Sequence, residues 1–262
     1  MPTIAINGYK SFLGKNFSDK FKNKYSIIHY NKDINNKKEF LKFINKKKFS
    51  HFIHFASLSR SKCDLNKNLC KKTNFHSVKF MVDKFNLMKT KPNLIFISTS
   101  HVYKSSRYKI KESFPVKPNT LYSRLKLKSE NYIKKNYVNY TILRLFNVYG
   151  FNQPKGFFVP DMIKKIKNNQ PIKIDKSIRD FIEVSVVSRI INFFINKKIK
   201  GVFNVGSGRG QSLISVINQI SVKQKKKPTL EISKKKTQLI ADLKFLKSYG
   251  FKFRKNEKNF NI

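Results

Sequence analysis

The sequence predicts a doubly wound α/β fold, a parallel sheet with helices on both faces. Three observations lead there. Over residues 1–150, short apolar runs alternate with segments of helical period. Those runs are apolar throughout, the pattern of strands buried on both faces. The first of them ends in a glycine-bearing turn that opens a helix.

Along the chain, Ile4-Ala5-Ile6 is the first strand, and Phe17 and Phe21 share one face of the helix after it. Ser26-Ile27-Ile28 is the second strand, followed by a helix carrying Phe40, Leu41 and Ile44. Phe52-Ile53-His54-Phe55 is the third, and a longer helix with Val78, Met81, Val82 and Phe85 leads to the fourth, Leu94-Ile95-Phe96-Ile97. A helix from Tyr122 to about Tyr137 precedes the fifth, Thr141-Ile142-Leu143. Residues 1–150 are therefore read as the sheet domain. Residues 151–262 read as a smaller, mixed region, some of whose strands return to the sheet. It holds a helix over Asp161–Ile166, a strand at Gly201–Val205, a helix from Ser212 to Val222, and a stretch from Asp242 to Ile262 that is expected to fray.

Composition narrows the function classes. The 57 Lys and Arg outnumber the 14 Asp and Glu, a net charge of +43, yet 40% apolar and 14% aromatic content argues against disorder. No apolar stretch reaches the ~18–20 residues of a membrane span, and the first residues lack the pattern of a signal peptide. Cys63 and Cys70 have no second pair and no histidines at zinc spacing, which disfavours a disulfide framework and a metal site and predicts a reducing, cytoplasmic setting. So large a charge attracts polyanions. The lysines, however, are spread over nearly every surface segment, arginine occurs only eight times, and no nucleic-acid motif is present. The excess of Lys, Asn, Ile and Phe matches the residue drift of an AT-rich genome. The charge thus reads as a solvated basic surface, with a non-catalytic nucleotide-sensing or nucleic-acid-binding module as the competing class.

Ligands of such sheets bind beyond the carboxyl ends of the strands. There, Gly8-Tyr9-Lys10-Ser11-Phe12-Leu13-Gly14 has the glycines that let backbone N–H groups approach a pyrophosphate at a helix N-terminus. The second strand ends in His29-Tyr30-Asn31-Lys32 without a carboxylate for a ribose 2′-hydroxyl. Lys10 and Lys32 instead favour NADP slightly over NAD. Tyr122 and Lys126 stand at i,i+4 on one helix face. A phenol titrates near ~10; a neighbouring ammonium and an oxidised nicotinamide favour its ionised form. The pair can then exchange a proton with a substrate oxygen during hydride transfer. Ser98-Thr99-Ser100-His101, at the end of the fourth strand, offers hydroxyls to orient that oxygen. His101 reads either as an extra proton donor or as a structural residue.

These features resemble the extended short-chain dehydrogenase/reductase family, in its NAD-dependent epimerase/dehydratase branch, built on the Rossmann scaffold and acting on nucleotide sugars. Asp33-Ile34 resembles the pair that contacts adenine, Phe55-Ala56 in His54-Phe55-Ala56 the segment beside the cofactor, and Asn74 in Thr73-Asn74 the asparagine that opens the long helix. Thr99 matches the catalytic Ser/Thr, and Pro118-Asn119-Thr120-Leu121-Tyr122 through Lys126 the catalytic motif. Arg144-Leu145-Phe146-Asn147-Val148-Tyr149-Gly150 places Asn147 at a sugar-diphosphate ligand, and Arg179-Asp180-Phe181-Ile182 places Arg179 at the diphosphate. Phe203-Asn204-Val205-Gly206 resembles a further family strand. The resemblance implies Thr99, Tyr122 and Lys126 as catalytic residues. It implies cofactor contacts from Gly8, Lys10, Ser11, Phe12, Leu13, Gly14, Asp33, Ile34, Phe55, Ala56, Asn74, Tyr122 and Lys126. Substrate contacts fall to Thr99, Ser100, His101, Asn147 and Arg179. It further implies a nucleotide-sugar substrate, a role in surface polysaccharide synthesis, and dimerisation through two long helices. Family dehydratases carry acids after the catalytic threonine; here Ser100-His101 follow Thr99, which disfavours dehydration. Lys10 tilts the reading to a 4-keto-sugar reductase, with an epimerase as the other branch.

Overall fold

The computed structural model describes residues 1–260. The chain begins with β1 (Thr3–Asn7), α1 (Phe12–Phe21), β2 (Ser26–Tyr30), α2 (Lys37–Lys46) and β3 (His51–His54). Two short helices, α3 (Arg60–Leu65) and α4 (Lys67–Lys71), lead through a π-helical turn (Lys72–His76) into α5 (Ser77–Asn86). Next come β4 (Asn93–Thr99), a 3₁₀ turn (Ser100–Val102), α6 (Leu121–Asn136), β5 (Tyr140–Leu145) and β6 (Asn147–Tyr149). Then follow α7 (Phe158–Lys167), β7 (Ile172–Asp175), β8 (Ile178–Glu183) and α8 (Val184–Lys197). The remainder is β9 (Gly201–Val205), β10 (Gly210–Ser212), α9 (Leu213–Gln224), β11 (Leu230–Ser233), β12 (Gln238–Leu239) and α10 (Lys244–Ser248). Most of the stretch expected to fray is thus described, including α10; its last two residues lie outside the described residues.

The chain packs into two compact units. One comprises Met1–Lys104, Pro115–Arg144 and Ser188–Phe203; the other comprises Ser105–Phe114, Leu145–Val187 and the chain from Asn204 onward.

The first unit is built on a six-stranded sheet of order β2-β1-β3-β4-β5-β9. β1 pairs in parallel with β2 on one side and β3 on the other, so the order of connection reverses at β1 and β3. That is the switch point at which doubly wound sheets bind ligands. The predicted α/β class is the observed one. Its core is aromatic: Phe40, Phe52 and Phe85 are fully buried, and Phe52 meets both others edge-on. Each such ring gains about 1.5–3 kcal/mol from burial. α8 belongs partly here, for Tyr25 Oη donates to Asn192 at 2.6 Å and Asn196 at 3.0 Å. Its Val and Ile content favours strand locally. Burial of Val187, Ile190, Ile191 and Phe194 on one face decides for helix.

In the second unit β8 pairs with β10, β12 and β6, and β7 pairs with β11. Tyr149, Met162, Ile166, Phe181, Ile217 and Phe260 share its core. Asp180, fully buried on β8, accepts from the backbone N–H groups of Ser207, Gly208 and Ala241 and from Ser207 Oγ. Burial pushes its carboxyl up to about 6 against those four donors. A Cβ at Gly206 would stand 2.5 Å from Asp180 Oδ2, which is why that position is glycine.

One expectation is overturned. Cys63 and Cys70 form a disulfide, their Cα atoms 4.9 Å apart. Asn66 ends α3 and caps α4 by accepting from Leu69 N–H, and this break folds the two helices until the cysteines meet. Seven residues of spacing could not announce that approach.

Candidate active site

The first unit gathers most of the anticipated residues at the carboxyl ends of β1, β3 and β4. At β1, Gly8 takes φ +64°, and a Cβ there would stand 2.6 Å from the Ala56 nitrogen. A Cβ at Gly14 would strike the Gly8 carbonyl at 2.4 Å, so the first turn of α1 lies directly on the Gly8 loop. Ser11 is the N-cap of α1: its Oγ accepts from Gly14 N–H at 3.1 Å and its N–H donates to Gly8 at 2.9 Å. The N–H groups of Phe12 and Leu13 then have no carbonyl within the helix. They form a ready cradle for a phosphate.

The Asn7 side chain ties this turn to the loop after β3. Its Oδ1 accepts from Ala56 N–H at 3.1 Å, which turns its Nδ2 toward His54 Nδ1 at 2.8 Å. His54 Nδ1 is therefore the acceptor, and the proton sits on Nε2. Burial and then the Lys126 charge push the imidazole down to about 3, so it stays neutral. His54 Nε2 and Ser100 Oγ are buried without hydrogen-bond partners. Buried polar atoms are rarely left so; two of them at this end of the sheet, with the open helix N-terminus, fit a bound polar dinucleotide.

Lys10 and Lys32 are both exposed, with the Lys10 ammonium 5.8 Å from the Tyr9 ring centre. Asp33 accepts from Asn35 in the loop after β2, while Ile34 is buried in the core. Asn74 lies in the π turn, and its amide is taken up inside the protein. Its Oδ1 accepts from Leu58 N–H at 2.8 Å and its Nδ2 donates to Leu58 O at 3.0 Å. It holds the loop beyond Phe55 and Ala56 from within.

Tyr122 and Lys126 sit on α6, whose start is fixed by a capping box between Thr120 and Ser123. Burial pushes the Tyr122 phenol up to about 12, with the nearby Thr99 side chain acting in the opposite direction. Lys126, 3% exposed, donates to the Ile97 carbonyl at 2.8 Å and lies 4.8 Å from the Phe96 ring centre. Burial brings its amine down to about 7. The sequence reading has the ammonium acidifying the phenol. In the protein alone burial prevails at both groups, and the Lys126 amine is bonded to the β4 backbone. Beneath them lies a network that sequence reasoning missed. Glu130, one turn beyond Lys126, accepts from Ser98 Oγ and pairs with Arg144 at 2.6 Å, and Arg144 donates to Tyr103 Oη at 2.7 Å. The Arg144 and Glu130 positions were visible in the sequence, but only the packing of α6 on β5 makes them partners.

His101 stands in the 3₁₀ turn, its N–H donating to Thr99 Oγ1 at 3.2 Å. The second unit carries Asn147 on β6 opposite Phe181, and Arg179 on β8. The Arg179 guanidinium donates to the Ile178 and Thr237 carbonyls and to Thr237 Oγ1. A cavity of about 1160 Å³ lies at the other end of the sheet, against Thr3 and His51, where β1 and β3 begin. No described helix is long and apolar enough to cross a membrane.

A family model described as NAD dependent epimerase/dehydratase family matches residues 5–206. GDP-6-deoxy-D-talose 4-dehydrogenase of Aggregatibacter actinomycetemcomitans is 25% identical over 242 residues, covering 84% of this chain and 82% of its own. Among solved structures, UDP-glucose 4-epimerase of Thermus thermophilus with NAD superposes with a TM-score of 0.84 at 16% identity, covering 95% of this chain and 93% of that one. The dTDP-4-dehydrorhamnose reductase of Bacillus anthracis with NADP also reaches 0.84, at 20% identity and with 95% and 92% covered.

Proposed function

The chain belongs to the NAD-dependent epimerase/dehydratase family, and on that premise we propose that it transfers hydride between a nicotinamide dinucleotide and a sugar carbon of a nucleotide sugar. Within that chemistry it is read as a 4-keto-sugar reductase that uses NADPH, acting in the cytoplasm. The observation that carries this reading is the Tyr122 phenol beside the Thr99 side chain at the end of β4, with Lys126 one turn further along α6.

The bound dinucleotide supplies the hydride. The turn from Gly8 to Gly14 would hold its pyrophosphate, and the positive charges of Lys10 and Lys32 favour a 2′-phosphate. Thr99 orients the substrate carbonyl oxygen, and Tyr122 gives that oxygen a proton as the carbon is reduced. A phenol raised to about 12 is fully protonated at neutral pH, the form a reductase needs at the start of its cycle. Asn147 and Arg179 are the residues proposed for the sugar diphosphate. The absence of an acid after Thr99 and the 4-dehydrogenase relative both support reduction at C4 over dehydration.

The test is NADPH and NADH oxidation with UDP-, GDP- and dTDP-linked 4-keto sugars, run with the wild type and Tyr122→Phe. Consumption of NADPH by the wild type, reduced about 10²–10⁴-fold in the variant, is the expected result. Sugar inversion without net cofactor consumption would identify an epimerase. Equal activity in the variant overturns the acid assignment. Steeply salt-dependent nucleic-acid binding without hydride transfer overturns the enzymatic reading.

A further inference from the structure

The Cys63–Cys70 bridge lies among the groups that the proposed reaction uses. Both cysteines are fully buried in a cluster with Phe75 and Leu125, and Tyr122 packs against that cluster. Asn74 Nδ2 stands 3.4 Å from Cys63 Sγ and 3.7 Å from Cys70 Sγ, while the same amide clasps the Leu58 backbone. The Asn74 carbonyl accepts from Ser129 Oγ at 2.7 Å, and Ser129 is on α6, three residues past Lys126. One side chain thus joins the bridge to the loop beyond Ala56, and its backbone joins the bridge to the helix of Tyr122 and Lys126.

We propose that the Cys63–Cys70 pair is a redox-sensitive positioning element of the dinucleotide site, tightening cofactor binding when oxidised and loosening it when reduced. This rests on the reading that the site takes a nicotinamide dinucleotide. In the bridged form neither sulfur carries hydrogen, so both only accept, and Asn74 Nδ2 is the donor facing them. Reduction by a small dithiol breaks the S–S bond and delivers two electrons and two protons. The protein gains two thiols, and the dithiol leaves as its own cyclic disulfide. Cys63 Sγ lies 3.8 Å from the Leu58 carbonyl, so its new S–H competes with Asn74 for one acceptor. The covalent limit on the separation of α3 and α4 is lost at the same time.

Access requires local opening. α3 and α4 are only six and five residues long, and Leu65 between the cysteines is 87% exposed. Such a segment belongs to the weakly held part of a fold, and exchange proceeds over minutes to hours. Within cells, bridges of this kind in the cytosol are usually transient, catalytic or redox-sensing.

The experiment uses the full chain prepared with glutathione disulfide or with dithiothreitol, the reagent then removed. Iodoacetamide labelling and mass measurement establish zero or two free thiols. Each form is titrated with NADPH by nicotinamide fluorescence, and hydrogen exchange is followed at the Leu58 amide. The oxidised form is expected to bind about fivefold more tightly, at the low end of coupling between sites, with slower Leu58 exchange. The KM for dinucleotide should move in step while that for sugar stays. Cys63→Ala/Cys70→Ala should match the reduced form under either treatment; if it fails to fold, the two wild-type forms supply the comparison alone. Equal affinity and equal exchange in forms verified by mass overturn the proposal. So does a shift in thermal midpoint without a shift in affinity, which marks a staple only, or failure of the oxidant to form the bridge. Absence of dinucleotide binding in both forms overturns the reading of the site itself. Leu58 exchange that still follows the thiol state distinguishes that failure from failure of the switch.

Discussion

Lys126 donates from Nζ to the backbone carbonyl of Ile97 at 2.8 Å, so the amine proposed to work with Tyr122 is tethered to β4 by the protein itself. The tether replaces only part of the water that the ammonium lost. Its pKa therefore falls to about 7 from 10.5.

This makes stability depend on pH with a definite sign. Between about 7 and 10.5 the unfolded chain binds a proton at this lysine that the folded chain does not, so the group's contribution to stability rises with pH across that window. Relative to Lys126→Met, the wild type should gain on the order of a few kcal/mol between neutral pH and the alkaline limit. Urea unfolding of both proteins at a series of pH values measures it. A difference that stays constant from pH to pH would contradict the buried, half-charged amine.

Tyr122 should ionise only far above neutrality in the protein alone, since burial holds it up at about 12. Adding an oxidised dinucleotide brings a positive charge to the site and should lower that value. Ultraviolet difference spectra of the wild type against Tyr122→Phe at about pH 9, one unit below the free phenol, read this directly. Phenolate absorbance should be absent without ligand and emerge with it. Absorbance unchanged by ligand would remove Tyr122 from the proton path.

The Glu130–Arg144 pair is almost wholly withdrawn from water, with side chains 0% and 4% exposed. Breaking a buried pair leaves one charge unpaired, at about 3–5 kcal/mol. Glu130→Gln should therefore destabilise strongly, also releasing Ser98, the residue beside Thr99. The double change Glu130→Leu/Arg144→Met should be less harmful than either single change, as chemical denaturation would show. Additive losses would mean that the two do not act as a pair.

His54 sets an acid limit. Its imidazole titrates near 3 in the folded protein and 6.5 outside it, so the unfolded state takes up a proton between these values and stability falls as pH drops through them. Replacing His54 by Gln should flatten that part of the profile. Thermal melts of both proteins from neutral to acid pH would decide, and parallel profiles would contradict a buried neutral histidine.

Several elements could be read from local order alone. Apolar runs such as Ile4-Ala5-Ile6 and Leu94-Ile95-Phe96-Ile97 are buried strands, Gly8 stands where a left-handed backbone is needed, and Tyr122 and Lys126 share a helix face by spacing. Chain distance hid the rest. Arg144 meets Glu130, Asp180 meets Ser207 and Ala241, and Asn74 meets Leu58 only once strands and helices have packed. Cys63 meets Cys70 only because Asn66 breaks a helix between them. The residue types and their periodicity determined the strands of the sheet and most of its helices, and marked the side chains proposed to carry chemistry. Tertiary structure decided the protonation of those side chains and their partners, because desolvation and hydrogen bonding arise from segments that the sequence does not place side by side.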